Sequence, residues 1–175
     1  MKKISSKLFV ALSGIMALGV SVPAVAQSAT GTGTIKIVQP LTLTNDRGLA
    51  FGTIIKPASG SGTVTLSAAD VTSRSKTGDI AFVKEGQTSA KFTLNGEGGQ
   101  KVSVRIPETF TMSGGGETLT VSTLTDLEDV TDVTLSSVLG QNGTKAFYVG
   151  GTVTIANDTK SAIYTGSFTV TASYN

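Results

Sequence analysis

The sequence predicts an all-β protein, a small threonine-rich sandwich, and three observations point there. Apolar and polar residues alternate with a period of two along most of the chain, the pattern of strands with one buried and one wet face. Gly and β-branched residues dominate while charged residues make up only 15%, which is the composition of a sheet protein. Gly, Asn-Gly or Asn-Asp interrupts the alternation about every eight to twelve residues, the interval of sandwiches and barrels.

The first segment stands outside that domain. Lys2, Lys3 and Lys7 flank the start of an apolar run from Leu8 to Val20, and Ala24-Val25-Ala26 follows Pro23. Residues 1–26 therefore read as a Sec-type signal peptide with an A-x-A cleavage site. The run is shorter than the roughly 18 apolar residues of a membrane span, and no Cys follows it to carry a lipid. Cleavage leaves 149 residues, enough for one domain whose core needs no disulfide or metal staple. It also removes three of the 14 basic residues, so 11 basic residues face 12 acidic ones and the net charge becomes −1. Nucleic acid and anionic membranes then lose their electrostatic attraction.

Residues 27–37 are expected to form an amino-terminal extension and residues 38–175 the sandwich. Strands are predicted at Thr34 to Thr44, Leu49 to Ile55, Gly62 to Ser67, Asp79 to Val83, Ala90 to Leu94, Lys101 to Ile106, Thr118 to Leu124, Val133 to Leu135, Lys145 to Val149, Thr152 to Ala156 and Ile163 to Tyr174. Asn95-Gly96 and Asn142-Gly143 supply residues tolerant of positive φ and are expected to be tight turns, with Gly150-Gly151 and Asn157-Asp158 as looser ones. Asp126 to Asp132 is the one segment with a helical turn's spacing. In the last strand Tyr164, Gly166, Phe168, Val170, Ala172 and Tyr174 share one face, and Thr165, Ser167, Thr169, Thr171 and Ser173 the other, so one face should enter a core.

Chemistry is mostly excluded by composition. Without His or Cys there is no Ser-His-Asp triad, no Cys nucleophile and no thiolate or imidazole metal site. The acidic residues Asp70, Asp79, Glu85, Glu97, Glu108 and Glu117 each lie within two residues of Gly, Ser or Thr and read as solvated turn carboxylates rather than a glycosidase pair. Ser73-Arg-Ser-Lys76 has Ser-x-x-Lys spacing within a polar loop. Asp126, Glu128, Asp129 and Asp132 lack the order of a calcium loop. No cofactor, metal site or catalytic residue is expected, and the protein is read as not an enzyme.

The ordered phrases Val38-Gln-Pro-Leu-Thr-Leu43, Leu49-Ala-Phe-Gly-Thr-Ile54, Gly62-Thr-Val-Thr-Leu66, Phe147-Tyr-Val-Gly-Gly-Thr-Val-Thr-Ile155 and Tyr164-Thr-Gly-Ser-Phe-Thr-Val-Thr-Ala-Ser-Tyr-Asn175 resemble the bacterial domain of unknown function 4402 family. That family is in turn similar to subunits of chaperone-usher fimbriae of the alternate and archaic types and to spore-coat-U-like domains. The resemblance implies an immunoglobulin-like sandwich that lacks a strand. A periplasmic chaperone, and then the extension of the next subunit, would supply it by strand addition. It places the interface at Ala29, Gly31, Gly33, Ile35 and Ile37 of the extension and at Gly166, Phe168, Val170, Ala172 and Tyr174 of the carboxy-terminal strand. The disulfide that many pilins of the archaic type possess is missing here, and the extension is short, with Ala29, Gly31 and Gly33 small.

The expected function is therefore a structural subunit of fimbrial type, exported through the periplasm to the cell surface, with itself, a chaperone and an usher as partners. The rival expectation is a monomeric secreted sandwich whose Thr34 to Thr44 strand completes its own sheet, with an adhesive or carbohydrate-binding role for the Gly-rich loop around Gly114 to Gly116.

Overall fold

The computed structural model describes residues 25–83 and 86–175. The signal-peptide reading therefore falls almost wholly outside the described residues, as does Glu85. The chain divides into a short first unit that ends at Ile35 and a compact unit from Lys36 to Asn175. Residues 25–35 of the first unit carry no regular structure and are exposed throughout.

The compact unit is all-β, with no helix among the described residues. Its strands are β1 (Thr42–Arg47), β2 (Ala50–Phe51), β3 (Ile54–Ile55), β4 (Ser61–Leu66), β5 (Arg74–Lys76), β6 (Ala81–Phe82), β7 (Gln87–Thr88), β8 (Ala90–Glu97), β9 (Lys101–Arg105), β10 (Thr109–Gly114), β11 (Glu117–Thr125), β12 (Val133–Thr134), β13 (Asn142–Ala156) and β14 (Thr171–Tyr174). Every pairing is antiparallel. A large sheet runs β1-β8-β13-β11-β10, with β4 on β13 and β5 on β4. A smaller sheet, β12-β9-β14, and two short pairs, β2-β7 and β3-β6, complete the set.

The predicted alternation holds where it is strongest. In β4, Gly62, Val64 and Leu66 are buried while Thr63 and Thr65 lie on the other face. The similar phrases Gly62 to Leu66 and Gly151 to Ile155 prove to be partners, with Val64 opposite Val153 and Thr63 opposite Thr154. On the outer face a row of hydroxyls, Ser75, Thr65, Thr152, Ser122 and Thr109, crosses five strands. Thr65 and Thr152 are hydrogen-bonded at 2.9 Å, the kind of cross-strand pair that favours Thr on a wet sheet face.

Three glycine signals mean something other than a turn. Asn95-Gly96 and Asn142-Gly143 lie inside β8 and β13, where Gly96 and Gly143 face each other across the ladder. A Cβ on Gly96 would meet the Tyr174 hydroxyl, and one on Gly143 the Ser136 carbonyl, so these positions are glycine for close approach. Gly150-Gly151 also lies within a strand, because β13 is continuous for 15 residues. One edge of β13 pairs with β8 up to Val149 and with β4 from Gly151 onward, while β11 holds the opposite edge. Gly150 stands at the switch, where a Cβ would strike the Leu66 carbonyl.

Other boundaries shift as well. The first strand starts at Thr42 rather than Thr34. Gly52, at a φ of 72°, breaks the predicted Leu49 to Ile55 strand into β2 and β3. The polar loop at Ser73 to Lys76 contains β5. The Gly114 to Gly116 region holds the end of β10 and a tight turn at Gly115 and Gly116, with φ of 58° and 80°. The Asp126 to Asp132 segment has turns but no helix. Of the long last strand only Thr171 to Tyr174 is laddered, on β9, with a single bridge from Thr165 to Ser113. Its alternation nonetheless persists, since Tyr164, Phe168, Val170, Ala172 and Tyr174 are all half-buried and the intervening residues exposed.

The interior forms two clusters. The first lies between the β8-β13 half of the large sheet and the small sheet, and contains Phe92, Leu94, Phe147, Val102, Val104 and Leu135. The second lies under β4, β11 and the end of β13, with Val64, Leu66, Val121, Val153, Phe51 and Ile80. Over the first cluster lies a three-stranded sheet. Against the second pack Phe51 of β2, Ile54 of β3 and Phe82 of β6, which belong to two-residue pairs rather than to a full sheet, so among the described residues its cover is thin.

Candidate functional site

Thin cover leaves an open slot along the second core. Two adjoining clefts of about 800 and 500 Å³ share Leu49, Met112 and Tyr164. One wall is the run Leu49–Lys56, and the other is the carboxy-terminal segment 159–168. The floor is apolar, formed by Met112, Leu119, Val153, Ile155, Phe92 and Phe110. Lys56 and Lys160 are the only charged residues in the lining among the described residues.

Both walls contain stretches of backbone with a spare edge. β2 and β3 each pair on one side only, with β7 and β6. In the opposite wall Thr165 exchanges both backbone bonds with Ser113, at 2.8 and 3.0 Å. In an extended chain the groups of the neighbouring residues point the other way. Among the described residues, no backbone-to-backbone bond reaches Tyr164 or any residue from Gly166 to Val170. Unsatisfied edges of this kind are templates for a further strand.

Each wall is fixed by side chains. The Arg74 guanidinium donates to the Phe51 carbonyl at 2.7 Å and the Val83 carbonyl at 3.1 Å, and lies 3.9 Å from the Phe82 ring centroid. The opposite wall is latched at the β10-β11 hairpin. Glu117 Oε2 accepts the Lys160 N–H at 3.0 Å and lies 3.2 Å from the Tyr164 hydroxyl. Lys56 Nζ, at the end of the first wall, ties the two walls together by donating to the Thr159 carbonyl at 2.8 Å. A Cβ on Gly166 would strike the Thr111 carbonyl, and one on Gly114 the Ile163 carbonyl, so paired glycines let this segment lie close on β10.

The Lys160 amide, helped by the Tyr164 hydroxyl and the Lys160 charge and opposed by desolvation, holds the Glu117 carboxyl below its ordinary range. A carboxyl depressed on folding contributes stability above its unfolded value, and that contribution disappears as pH falls through the folded value. The melting temperature of the native protein should therefore exceed that of Glu117→Gln at neutral pH, with the gap closing below the ordinary glutamate range. A gap that persists unchanged in acid would show that the carboxylate does not latch the wall.

The residues expected at an interface fall into two groups. Ala29, Gly31 and Gly33 lie in the exposed arm, and Ile35 and Ile37 are 84% and 79% exposed. Gly166 and Phe168 line the slot. Phe168, Val170, Ala172 and Tyr174 pack inward on the first core, where Phe168 meets Phe92 edge-on at 6.1 Å and Phe110 at 4.9 Å. The Tyr174 hydroxyl accepts the Glu97 N–H at 2.6 Å and donates to the Gln39 carbonyl at 2.9 Å.

Glu97 is not the solvated turn carboxylate expected from its neighbours. It is 2% exposed, closes β8, and accepts the backbone N–H groups of Gln39 (3.1 Å) and Gly140. In the acidic segment Asp126 accepts the Tyr148 amide, Asp129 binds Thr131, and Asp132 pairs with Lys101 at 2.6 Å. No group of three potential metal ligands gathers among the described residues. No helix is long and apolar enough to cross a membrane among them.

Fold and slot together define an antiparallel β-sandwich domain with one core left partly uncovered. The chain belongs to the family described as domain of unknown function (DUF4402), whose family model matches residues 41–174. No curated protein and no solved structure is significantly similar to it.

Proposed function

We propose that this protein is a non-catalytic structural subunit of fimbrial type, exported through the periplasm and assembled at the cell surface by strand donation. In this reading the immunoglobulin-like sandwich lacks a strand at the slot, which first takes a strand from a periplasmic chaperone and then the arm of residues 27–37 of the next subunit, delivered at an usher. The observation that carries the reading is the slot itself, an apolar cleft between two backbone edges with spare hydrogen-bonding groups. β-Strand addition uses such an edge for affinity and the pockets beneath it for specificity.

The exposed arm supports the same reading. A chain that completed its own sheet with Thr34 to Thr44 would bury Ile37, whereas Ile37 is 79% exposed and the first strand begins at Thr42. Each buried Ile would contribute about 1.5 to 3 kcal/mol against an association cost of at least roughly 4 kcal/mol, with backbone bonds adding about 1 kcal/mol each. The test is light scattering over a concentration series. The chain from Gln27 should multimerise as concentration rises, and a chain starting at Val38 should not. Equal behaviour of the two would refute the reading.

A further inference from the structure

We infer that the end of the domain from which the arm departs is a second contact surface for another copy of this chain, centred on Val138 and Leu139 and separate from the slot; the inference rests on strand donation by the arm. Two segments distant in sequence meet there on one buried carboxylate. Glu97 Oε2 accepts the Gln39 N–H and Oε1 the Gly140 N–H, so the residues just before them, Val38 and Leu139, are brought to the same group. The turn that carries Leu139 is tied down from inside. Gly98 donates to the Gln141 carbonyl at 2.8 Å and Gln141 to the Val138 carbonyl at 3.1 Å, and a Cβ on Gly98 would strike the Val138 backbone. Its bulky side chains nevertheless face water. Val138 is 62% and Leu139 57% exposed, while in the other segment Ile37 is 79% and Val38 38% exposed. The turn also holds backbone strain: among the described residues Ser137 is the only one other than glycine with a positive φ, at 67°. Side chains disfavour that conformation, and strain of this kind gathers at recognition sites.

Four aliphatic side chains are too few to hold a dimer alone, since a stable interface covers about 800 Å² on each partner. The patch therefore suits an occupant that another contact brings close. The arm provides that contact. Ile37 lies two residues from the anchored Gln39, at most about 7 Å of extended chain, so a copy whose slot holds Ile37 must lie against this end of the donor. That copy offers a matching surface. Ile55 and Ile163, 53% and 87% exposed, stand at the rim of its slot, and neither Val138 nor Leu139 lines the slot of its own domain.

The test compares the chain from Gln27 with a variant carrying both Val138→Ser and Leu139→Ser, and with Val71→Ser, whose side chain is 88% exposed in the loop between β4 and β5. Melting temperatures check that all three are folded alike, and Leu139→Ser alone replaces the double variant if the two changes together lower its own. In light scattering the double variant should need a concentration about tenfold higher or more to multimerise, and Val71→Ser the same concentration as the native chain. A labelled peptide of residues 27–39 should bind all three with equal Kd. Multimerisation of the double variant at the native concentration, or equal weakening in Val71→Ser, would overturn the inference while leaving strand donation intact. A matching loss of peptide affinity would show the turn acting through the slot and would also overturn it. Sedimentation with phosphatidylcholine vesicles, seen for the native chain and lost in the double variant, would assign the patch to a lipid surface instead. A native chain that stays monomeric at every concentration would refute strand donation and the inference with it.

Discussion

Replacing Phe147 by Ala should cost about 3 to 5 kcal/mol of unfolding free energy, the range for a fully buried aromatic. Phe147 is 0% exposed at the centre of the first core. It faces Phe92 directly across the β8-β13 ladder, the rings stacked with centroids 5.4 Å apart and planes 15° from parallel. Such a pair adds roughly 0.5 to 1.5 kcal/mol beyond the area it buries. The ring also stands behind Phe92 where Phe168 packs edge-on, so its loss loosens the seat of the carboxy-terminal segment. Phe168→Ala should cost less, because Phe168 is only half-buried, and Thr169→Ala on the exposed face should stay within about 1 kcal/mol. Urea unfolding with an unchanged slope would read these directly. Similar losses at Phe147 and Thr169 would mean that the described register is wrong.

Leu66→Ala should cost about 2 to 5 kcal/mol, and it probes the other core. Leu66 is 0% exposed and ends β4, between Gly151 of β13 and Arg74 of β5. Its neighbours in the cluster include Val64, Val121 and Val153, all at most 2% exposed. The cover above this cluster is thin and the slot beside it is open, yet Val64, Leu66, Val121 and Val153 are as fully buried as the residues of the first core. A loss well under 1 kcal/mol would show this core to be fluid. A slot-filling peptide should raise the stability of both the native and the Leu66→Ala proteins, since a ligand that binds only the folded state stabilises it by mass action.

The strand grammar of the chain was readable from period-two alternation, and most central strands stand close to where that alternation puts them. Glycine was the main source of error, because the same residue serves two physical needs. At Gly115-Gly116 it permits positive φ in a turn. At Gly96, Gly143 and Gly150 it makes room for a hydroxyl or a carbonyl inside a strand, and local sequence does not distinguish the two. β10 had its signal in Phe110 and Met112, two residues apart, but the glycines after them made the segment resemble a loop. The buried role of Glu97 could not be read locally, since its partners Gln39 and Gly140 are each about 40 or more positions away in sequence. The inward face of the last segment could be read, whereas Ile35 and Ile37, expected in a strand from Thr34, lie exposed before the first strand. The Leu49–Lys56 wall could not, because a slot exists only when two distant segments are set side by side.

The central claim, that one copy inserts its arm between the two walls of another, is tested most directly by disulfide trapping, since the chain contains no Cys. One population carries Ile35→Cys or Ile37→Cys in the arm. The other carries Ile55→Cys on one wall or Ile163→Cys on the other, positions 53% and 87% exposed. A strand laid in the slot runs about 4.8 Å from each wall, within the roughly 4.4–6.8 Å between Cα atoms that a disulfide spans. Mixed and gently oxidised, arm and wall variants should form covalent heterodimers in at least one of the four pairings, and an excess of a Cys-free peptide of residues 27–39 should suppress them. Heterodimers in none of the pairings, or dimers of the same yield when an exposed site away from the slot such as Val71 carries the Cys, would contradict strand donation at this slot.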